Sequence, residues 1–301
     1  MIRRSVACLV AIACALTPAY AASKKSTSTK KSSSVPKATA VEKPSSPGIA
    51  EPFAVESNDG PPIIRGESCI VVDARTGDVL HEKNADKLRP VASTQKLLTA
   101  LIVAESGGLD GVVTVKPSDT LAEPSKLYLK AGEQYQRYKL LQILLVKSMN
   151  DVARCLARDN AGSLEDFASK MNAKARMLGM ANSNFVNPNG LPASGQYSTA
   201  RDMAKVAMAA YRSPVIRNIV RLKSLTWSYN DGRTRTFENT NRVLRNYALC
   251  NGMKTGYTEA AGHCLISSGS FGGRDVIVVV LGDNKQVWTD SYRLLNWGLS
   301  S

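Results

Sequence analysis

Histidine is scarce in this chain: only His81 and His263 occur among its 301 residues. No H-E-x-x-H motif is present, so a zinc peptidase would have to complete its ligand set with carboxylates or cysteines. The G-x-S-x-G turn that carries the nucleophile of many Ser-His-Asp hydrolases is also missing. We therefore expect no metal site, no cofactor and no histidine-based catalytic triad.

The sequence also lacks an apolar run of the roughly 20 residues that a membrane span requires. Its N-terminal apolar stretch follows Arg3 and Arg4, breaks at Thr17-Pro18 and ends in an A-x-A cleavage pattern at residues 19–21. This order is typical of a secretory signal peptide over residues 1–21. The mature protein is therefore expected to be exported, to a periplasm or a cell wall, without a stable membrane anchor.

Large apolar residues are nearly absent from residues 22–62, which are rich in Ser, Lys, Pro, Thr and Ala. Such a segment buries too little surface to offset its ordering entropy, so we expect a disordered tether followed by a folded domain over residues 63–301. No aromatic residues are interleaved with its lysines, which argues against a nucleic-acid arm.

Charge of one sign dominates the rest of the chain. The formal net charge is +14, and residues 1–62 hold eight Lys or Arg against four Asp or Glu, so residues 63–301 carry +10. A basic domain suits an acidic ligand, such as a peptide with a free carboxylate or an anionic polymer.

Cysteine is sparse outside the predicted signal peptide, with four residues at 69, 155, 250 and 264. An even number in an oxidising compartment allows one or two disulfides. Each cysteine lies in an apolar run, however, and this position favours buried free thiols.

Strand and helix patterns occur in separate parts of the chain. Residues 68–84 predict two strands around a turn, a helical block follows from Ser93 to about Ala210, and strand patterns then return until a final helix at about 285–298. Within the block, residues 163–179 predict a helix that begins on a serine cap and closes on a glycine. The sequence thus indicates an α+β fold, with a sheet built from both ends of the chain and an inserted helical subdomain.

Three short polar motifs occur where this layout can bring them together. Ser93-Thr-Gln-Lys96 opens the first helix, Ser148-Met-Asn150 lies at a joint between two helices, and Lys254-Thr-Gly256 lies on a strand. Each motif alone recurs by chance, but all three in this order form a specific signal.

The residue types in the three motifs suit an acyl-transfer reaction on a serine. Positions 93 and 96 share a helix face, so a neutral Lys96 amine can take the proton of the Ser93 hydroxyl. Burial and a second cation at Lys254 would lower the pKa of Lys96. Gly256 leaves room for a peptide to pair along the strand edge, and Lys254 and Thr255 would hold its terminal carboxylate. We expect Ser93 to cap the helix as well as to act as the nucleophile.

These motifs, together with the segments "MNAKARMLGMANSNFVNPNGLP", "YSTARDMAKVA" and "KTGYTEAAGHCL", resemble the low-molecular-mass penicillin-binding proteins over about residues 65–298. This is the D-alanyl-D-alanine carboxypeptidase family. The resemblance implies an antiparallel sheet flanked by helices, with a helical subdomain that carries the S-x-N motif. It also implies peptidoglycan stem peptides as substrates and β-lactams as covalent inhibitors.

The same resemblance assigns roles. Ser93 is implied to be acylated, Lys96 to be its general base, and Ser148 and Asn150 to relay protons and hold the substrate amide. Lys254, Thr255, Gly256 and Tyr257 are implied to bind substrate, and the backbone N–H groups of Ser93 and Tyr257 to hold the oxyanion.

Two positions depart from the family pattern without removing a catalytic group: Met149, where a small residue is frequent, and Gln95, where Thr or Ser is common. The sequence also ends about one helix after the last predicted strand, so we expect neither the C-terminal β-domain nor the amphipathic anchor of many carboxypeptidases.

The favoured hypothesis is a serine D,D-carboxypeptidase that cleaves the D-Ala-D-Ala bond. A D,D-endopeptidase that cleaves D-alanyl cross-links is the alternative within the class, supported by the "AAGHCL" segment and the short C-terminus. Class A β-lactamases use an additional Glu to activate the water that removes the acyl group. A β-lactamase is disfavoured because the nearest acidic pair, Glu165-Asp166, falls in an amphipathic helix. A catalytically idle peptidoglycan-binding protein has no reason to keep a nucleophile beside a lysine.

Overall fold

The computed structural model describes residues 60–283 and 285–301. Its strands are β1 (Ser68–Asp73), β2 (Val79–Lys83), β3 (Val112–Thr114), β4 (Gln134–Gln136), β5 (Ser224–Ser228), β6 (Thr234–Glu238), β7 (Cys250–Thr258), β8 (Gly262–Phe271) and β9 (Arg274–Asp283). Its α-helices are α1 (Lys96–Glu105), α2 (Arg137–Lys147), α3 (Asn150–Ala161), α4 (Leu164–Met177), α5 (Ala200–Arg212), α6 (Pro214–Val220), α7 (Arg242–Asn246) and α8 (Val287–Ser300). The predicted signal peptide and nearly all of the predicted tether lie outside the described residues.

The central sheet has five antiparallel strands in the order β2-β1-β9-β8-β7. It therefore joins two strands from the beginning of the domain to three from its end, as the sequence predicts. Strand β9 shows why both faces are covered. Ile277, Val279 and Leu281 pack into one hydrophobic cluster, whereas Val276 and its alternate neighbours pack into a second cluster with α8.

The helical subdomain lies between the two halves of the sheet in sequence. The predicted helix after Ser163 is confirmed, because the Ser163 hydroxyl accepts a hydrogen bond from the Asp166 N–H and Gly179 follows the helix end with φ +72°. The helical block predicted from Ser93 to about Ala210 also contains two short strands that the sequence does not predict, β3 and β4, which pair with each other. Each of these strands has three residues, too few for an alternating pattern to be recognised.

All four described cysteines are buried and unpaired, in agreement with the burial of their apolar runs. Among the described residues, no helix is long and apolar enough to span a membrane.

Candidate active site

Ser93 lies in a 3-10 helix, Ala92–Gln95, that leads directly into α1. The residue before it, Ala92, has φ +47°, a left-handed conformation that is rare outside glycine. The expectation that Ser93 caps the helix is wrong, because it lies inside the 3-10 turn and its side chain caps no backbone N–H. Its hydroxyl oxygen lies 2.7 Å from Lys96 Nζ and 3.3 Å from the Asn189 carbonyl oxygen.

The amine of Lys96 is fully buried and has three close neighbours. Its Nζ lies 2.7 Å from Ser93 Oγ, 2.7 Å from Asn150 Oδ1 and 2.6 Å from the Asn189 carbonyl oxygen. None of the described acidic residues forms an ion pair with this amine. Burial, and then the nearby Lys254, hold the pKa of Lys96 well below its ordinary value, as the sequence predicts.

This arrangement matches the hydrogen-bonding capacity of a neutral amine. A neutral lysine has two N–H donors and one lone pair. The Asn150 and Asn189 oxygens can only accept hydrogen bonds, so they occupy the two donors. The lone pair is then left for the Ser93 hydroxyl, which can donate its proton.

Ser148 and Lys254 form a second polar pair. Ser148 lies at the end of α2 with φ +69°, and its hydroxyl accepts a hydrogen bond of 2.8 Å from Lys254 Nζ. Lys254 also donates to the Thr255 carbonyl at 2.9 Å and is fully buried, so its amine lies behind the cleft surface. Burial lowers the pKa of Lys254 to about 7.

Asn150 begins α3 and has both ends of its amide engaged within the protein. Its Oδ1 accepts from Lys96, and its Nδ2 donates to the Pro124 carbonyl at 2.6 Å. The Asn150 backbone N–H donates to the Ser125 carbonyl at 2.8 Å. The side chain is therefore fixed in the orientation that presents its oxygen to the lysine.

Two glycines allow the backbone to close around Ser93. A Cβ atom at Gly256, on β7, would lie 2.8 Å from the Ser93 nitrogen. A Cβ atom at Gly190 would lie 2.0 Å from the Ala92 carbonyl oxygen. Both distances are shorter than real Cβ contacts, so β7 and the 187–192 turn can approach Ser93 only because these positions lack a side chain.

A cleft of about 840 Å³ opens over this region. Six of the eight predicted site residues line it: Ser93, Ser148, Asn150, Thr255, Gly256 and Tyr257. The other two, Lys96 and Lys254, do not line the cleft, but their amines contact the lining residues Ser93 and Ser148. Strand β7 ends the sheet on this side, so the segment from Thr255 to Thr258 borders the cleft. No cluster of His, Cys, Asp and Glu suited to a metal occurs in the described part of the chain.

Several residues at the site carry no sequence signal of their own. Asn189 contributes a backbone carbonyl, which any residue type can supply. A weak signal exists in the Asn-Pro-Asn-Gly turn, since the Asn187 side chain accepts from the Gly190 N–H at 2.8 Å and so shapes that turn. Gln95 donates its Nε2 to the Asn187 carbonyl at 2.6 Å and fixes the turn against the 3-10 helix.

Comparison with known proteins identifies a family and several relatives of this chain. Residues 55–285 match the family model described as D-alanyl-D-alanine carboxypeptidase. The chain is 34% identical to a D-alanyl-D-alanine endopeptidase of Escherichia coli K12 over 84% of each protein. It is 33% identical to the D-alanyl-D-alanine carboxypeptidase DacF of Bacillus subtilis over 72% of this chain and 57% of that protein's length.

The fold is similar to that of the DD-transpeptidase of Streptomyces K15. The TM-score is 0.75 at 30% identity, and the match covers 80% of this chain and all of the other. Because the family model matches most of the sequence, the chain belongs to the D-alanyl-D-alanine carboxypeptidase family.

Proposed function

We propose that this protein is a serine D,D-carboxypeptidase that cleaves the D-Ala-D-Ala bond of peptidoglycan stem peptides through an acyl-enzyme on Ser93. The observation that carries this proposal is the buried Lys96 amine, 2.7 Å from Ser93 Oγ and without a carboxylate partner. Such an amine is neutral at a higher fraction than an exposed lysine, so it can act as a base near neutral pH.

In the first step, the Ser93 hydroxyl proton passes to Lys96 Nζ while Oγ attacks the carbonyl carbon of the scissile bond. The C–N bond then breaks, the departing D-Ala amine takes up a proton, and an ester on Ser93 remains. Water hydrolyses this ester and regenerates the serine. Ser148, bonded to Lys254, lies beside the reacting groups and is assigned the relay of the proton to the leaving amine.

Substrate binding follows from the position of β7. A peptide that adds to this edge would pair with the backbone of β7 beyond Thr255, whose carbonyl already accepts a hydrogen bond from Lys254. We assign the terminal carboxylate to the Thr255 hydroxyl, with the charge of Lys254 behind it. The backbone N–H groups of Ser93 and Tyr257 are assigned to the oxyanion, a role that the contact of Gly256 with Ser93 supports.

The same proposal places the enzyme outside the cytoplasmic membrane. Peptidoglycan is an extracytoplasmic polymer, and the signal-peptide pattern of residues 1–21 is consistent with export. Residues 22–62 would then serve as a tether between the export signal and the domain.

A β-lactam tests the acylation step directly. The intact mass of the full-length protein should increase by one molecule of inhibitor, and Ser93→Ala should show no increase. The variant Ser125→Ala, which removes another hydroxyl that lines the cleft, is the matched control and should still form an adduct. The absence of any adduct on the wild-type protein would contradict the proposed mechanism.

Purified muropeptides then distinguish the substrates. Release of D-Ala from pentapeptide monomers is the expected result for a carboxypeptidase. Conversion of cross-linked dimers to monomers would instead identify an endopeptidase. If neither pool changes, the chain is a peptidoglycan-binding protein and the proposal is wrong.

A further inference from the structure

Two carboxyl groups are buried together where β9 leads into α8, and the mechanism above uses neither of them. Asp283 ends β9 and Asp290 lies in the first turn of α8, and each residue is only 1% exposed. In the part of the chain that the structure describes, neither forms an ion pair. A buried carboxylate without a cation is strongly unfavourable, so another group has to compensate for this burial.

Each carboxyl group holds a backbone segment. Asp290 Oδ2 accepts hydrogen bonds from the Arg65 and Gly66 N–H groups at 2.7 and 2.8 Å, and so fixes the segment that enters the domain. Asp283 Oδ1 accepts from the N–H groups two and three residues later, at 2.7 Å each, and so fixes the turn that begins α8. The pair therefore connects the start of the folded domain to its last helix.

The second oxygen of Asp283 has no donor. Asp283 Oδ2 is buried and accepts no hydrogen bond from any described residue, although its carboxyl group is in hydrogen-bonding contact with that of Asp290. Two ionised carboxylates cannot donate to each other, whereas one proton between them supplies the missing donor and removes one charge. Burial, together with the Asp283 carboxyl, raises the pKa of Asp290 against the opposing effect of the Gly66 and Arg65 N–H groups.

The charged groups around the pair are engaged elsewhere. Lys83, on β2, donates to two backbone carbonyls of the entering segment at 2.8 and 3.2 Å. Arg89, next to the end of β9, forms an ion pair with Glu67. His263, opposite Asp283 in the sheet, stacks its ring on Tyr257 at 4.5 Å. Burial raises the pKa of the two neighbouring thiols to about 11, so they are uncharged near neutral pH: Cys69 and Cys264.

The first turn of α8 also forms part of the cleft wall. Val287 and Trp288 line the cleft, and the Asp290 N–H donates to the Gln286 carbonyl at 2.8 Å in the same turn. Loss of the proton would place two negative charges in contact and push this turn away from Asp283. The wall of the cleft would then move with it.

We propose that Asp283 and Asp290 share a single proton, and that this proton holds the first turn of α8 in place as a wall of the cleft. Neither residue lines the cleft, so both act as positioning residues for Trp288. The shared proton does not depend on the proposed function. Only its effect on acylation rests on that function.

Infrared spectroscopy of the full-length protein detects the proton directly. Above the pH at which ordinary carboxyl groups ionise, the spectrum should retain the C=O stretch of one protonated carboxylic acid, and titration should give the pH at which this band disappears. Asp283→Asn should remove the band, because an amide can donate to the Asp290 carboxylate without a proton that titrates. Asp290→Asn should remove it as well, which keeps the test valid if one variant folds poorly.

Asp275→Asn is the matched control. Asp275 is a half-buried acid at the opposite end of β9, where it accepts a hydrogen bond from Ser270, and its replacement should leave the band in place. A wild-type spectrum without the band, or a band that persists in both Asp283→Asn and Asp290→Asn, would overturn the proposal. If sodium ions stabilise the wild-type protein in the absence of a band, a cation occupies the site and the proposal is equally wrong.

Stability should follow the same proton. The folded protein retains a proton that an unfolded aspartate releases near pH 4, so the wild-type protein should lose stability relative to Asp283→Asn as the pH rises from about 4. Its unfolding equilibrium constant should rise relative to that of the variant by up to about tenfold per pH unit, until the shared proton leaves. A difference between the two proteins that does not change with pH would contradict the shared proton.

The rate of β-lactam acylation tests the effect on the cleft. The ratio of the rate for Asp283→Asn to that for the wild-type protein cancels the titration of Lys96 and Lys254, which both proteins contain. This ratio should rise about tenfold over the pH range in which the infrared band disappears, since a displacement of about 1 Å in an active site can cost about 100-fold. For Asp275→Asn it should stay constant.

These measurements separate the inference from the proposed function. If no β-lactam adduct forms on the wild-type protein, the proposed mechanism fails, while the infrared band still decides whether the carboxyl groups share a proton. If the adduct forms and the band is present but the ratio is constant with pH, the mechanism stands and the positioning role is wrong.

Discussion

At the scale of single residues, the position of Ser93 depends on neighbours that contribute no side chain. Gly190 and Gly256 approach the Ala92–Ser93 peptide from two sides, and Ala92 has a left-handed φ of +47°. The proposed nucleophile therefore lies on a backbone that is in close contact with both glycines. The position of its N–H group is determined by close contact with β7.

Gly256→Ala should disrupt this contact. The added methyl group would lie 2.8 Å from the Ser93 nitrogen, so β7 and the 3-10 helix must separate. We expect the rate of β-lactam acylation to fall about 100-fold or more, because loss of one oxyanion donor typically has an effect of this size. The rate can be followed with a chromogenic β-lactam.

Gly60→Ala is the control, since no heavy atom lies within 4 Å of the Cβ position at residue 60. It should acylate at the wild-type rate. Acylation of Gly256→Ala at the wild-type rate would show that the close approach of β7 is irrelevant to the oxyanion.

The sequence predicts which polar side chains come together better than it predicts the groups that support them. Ser93 and Lys96, 2.7 Å apart, are recognisable because the proposed chemistry restricts both the residue type and the spacing. Asn189 acts through its carbonyl oxygen and is indicated only by the turn that contains it, and Asp151 acts through loop amides more than 20 residues away and leaves no local pattern. The pKa of Lys96 is predictable in direction, because burial and a second lysine both act against the charged form.

At the scale of secondary-structure elements, the joint between α2 and α3 organises the site. Helix α2 ends on the left-handed Ser148, and α3 begins at Asn150, so one short turn points a hydroxyl at Lys254 and an amide at Lys96. The next residue, Asp151, accepts hydrogen bonds from the Leu127 and Leu129 N–H groups. The first turn of α3 therefore holds both the polar site residues and the neighbouring loop.

Asp151→Ala should loosen that loop. The free energy of unfolding should fall by on the order of 3 kcal/mol, because hydrogen bonds to a charged group contribute about 1.5–3 kcal/mol each. Hydrogen–deuterium exchange should accelerate at the Leu127 and Leu129 amides, which donate to this carboxylate.

Glu165→Ala removes an exposed acid from the first turn of α4 and is the matched control. Its exchange at Leu127 and Leu129 should remain that of the wild-type protein. Equal protection of these amides in Asp151→Ala would mean that other contacts hold the loop.

Element boundaries follow local signals where such signals exist. Helix α4 agrees with its prediction because Ser163 and Gly179 mark both ends within the sequence. The 3-10 turn at Ala92–Gln95 was not predictable, since it depends on contact with β7 and the 187–192 turn rather than on its own residues. Strands β3 and β4 are separated by 19 residues, so no hairpin turn indicates their pairing.

At the scale of the whole molecule, two buried lysines oppose folding. The pKa of Lys254 is about 7 in the folded protein, against an ordinary value of 10.5. Between these values the unfolded chain binds a proton that the folded chain does not, so the free energy of unfolding rises with pH. Below about pH 7 both states are protonated and the unfavourable contribution is complete.

Lys254→Met should therefore be more stable than the wild-type protein at pH 6, and this difference should shrink as the pH rises from about 7 to about 10. Denaturant unfolding at several pH values measures it. Lys139→Met removes a lysine charge at an exposed position on α2. Its free energy of unfolding should therefore change with pH in the same way as that of the wild-type protein. A difference that is constant with pH for Lys254→Met would contradict the linkage.

The position of β7 at the end of the sheet has a consequence for the behaviour of the protein in concentrated solution. Proteins ordinarily shield the end of a sheet with charged residues, proline or a covering element. Within the described residues no further strand pairs with the outer edge of β7, and the proposed peptide must reach that edge near the exposed Tyr257, so an empty enzyme presents it to other molecules of its own kind. A ligand bound in the cleft would cover this edge and so prevent pairing between molecules. An inhibited sample should therefore remain monodisperse under conditions in which the free enzyme self-associates.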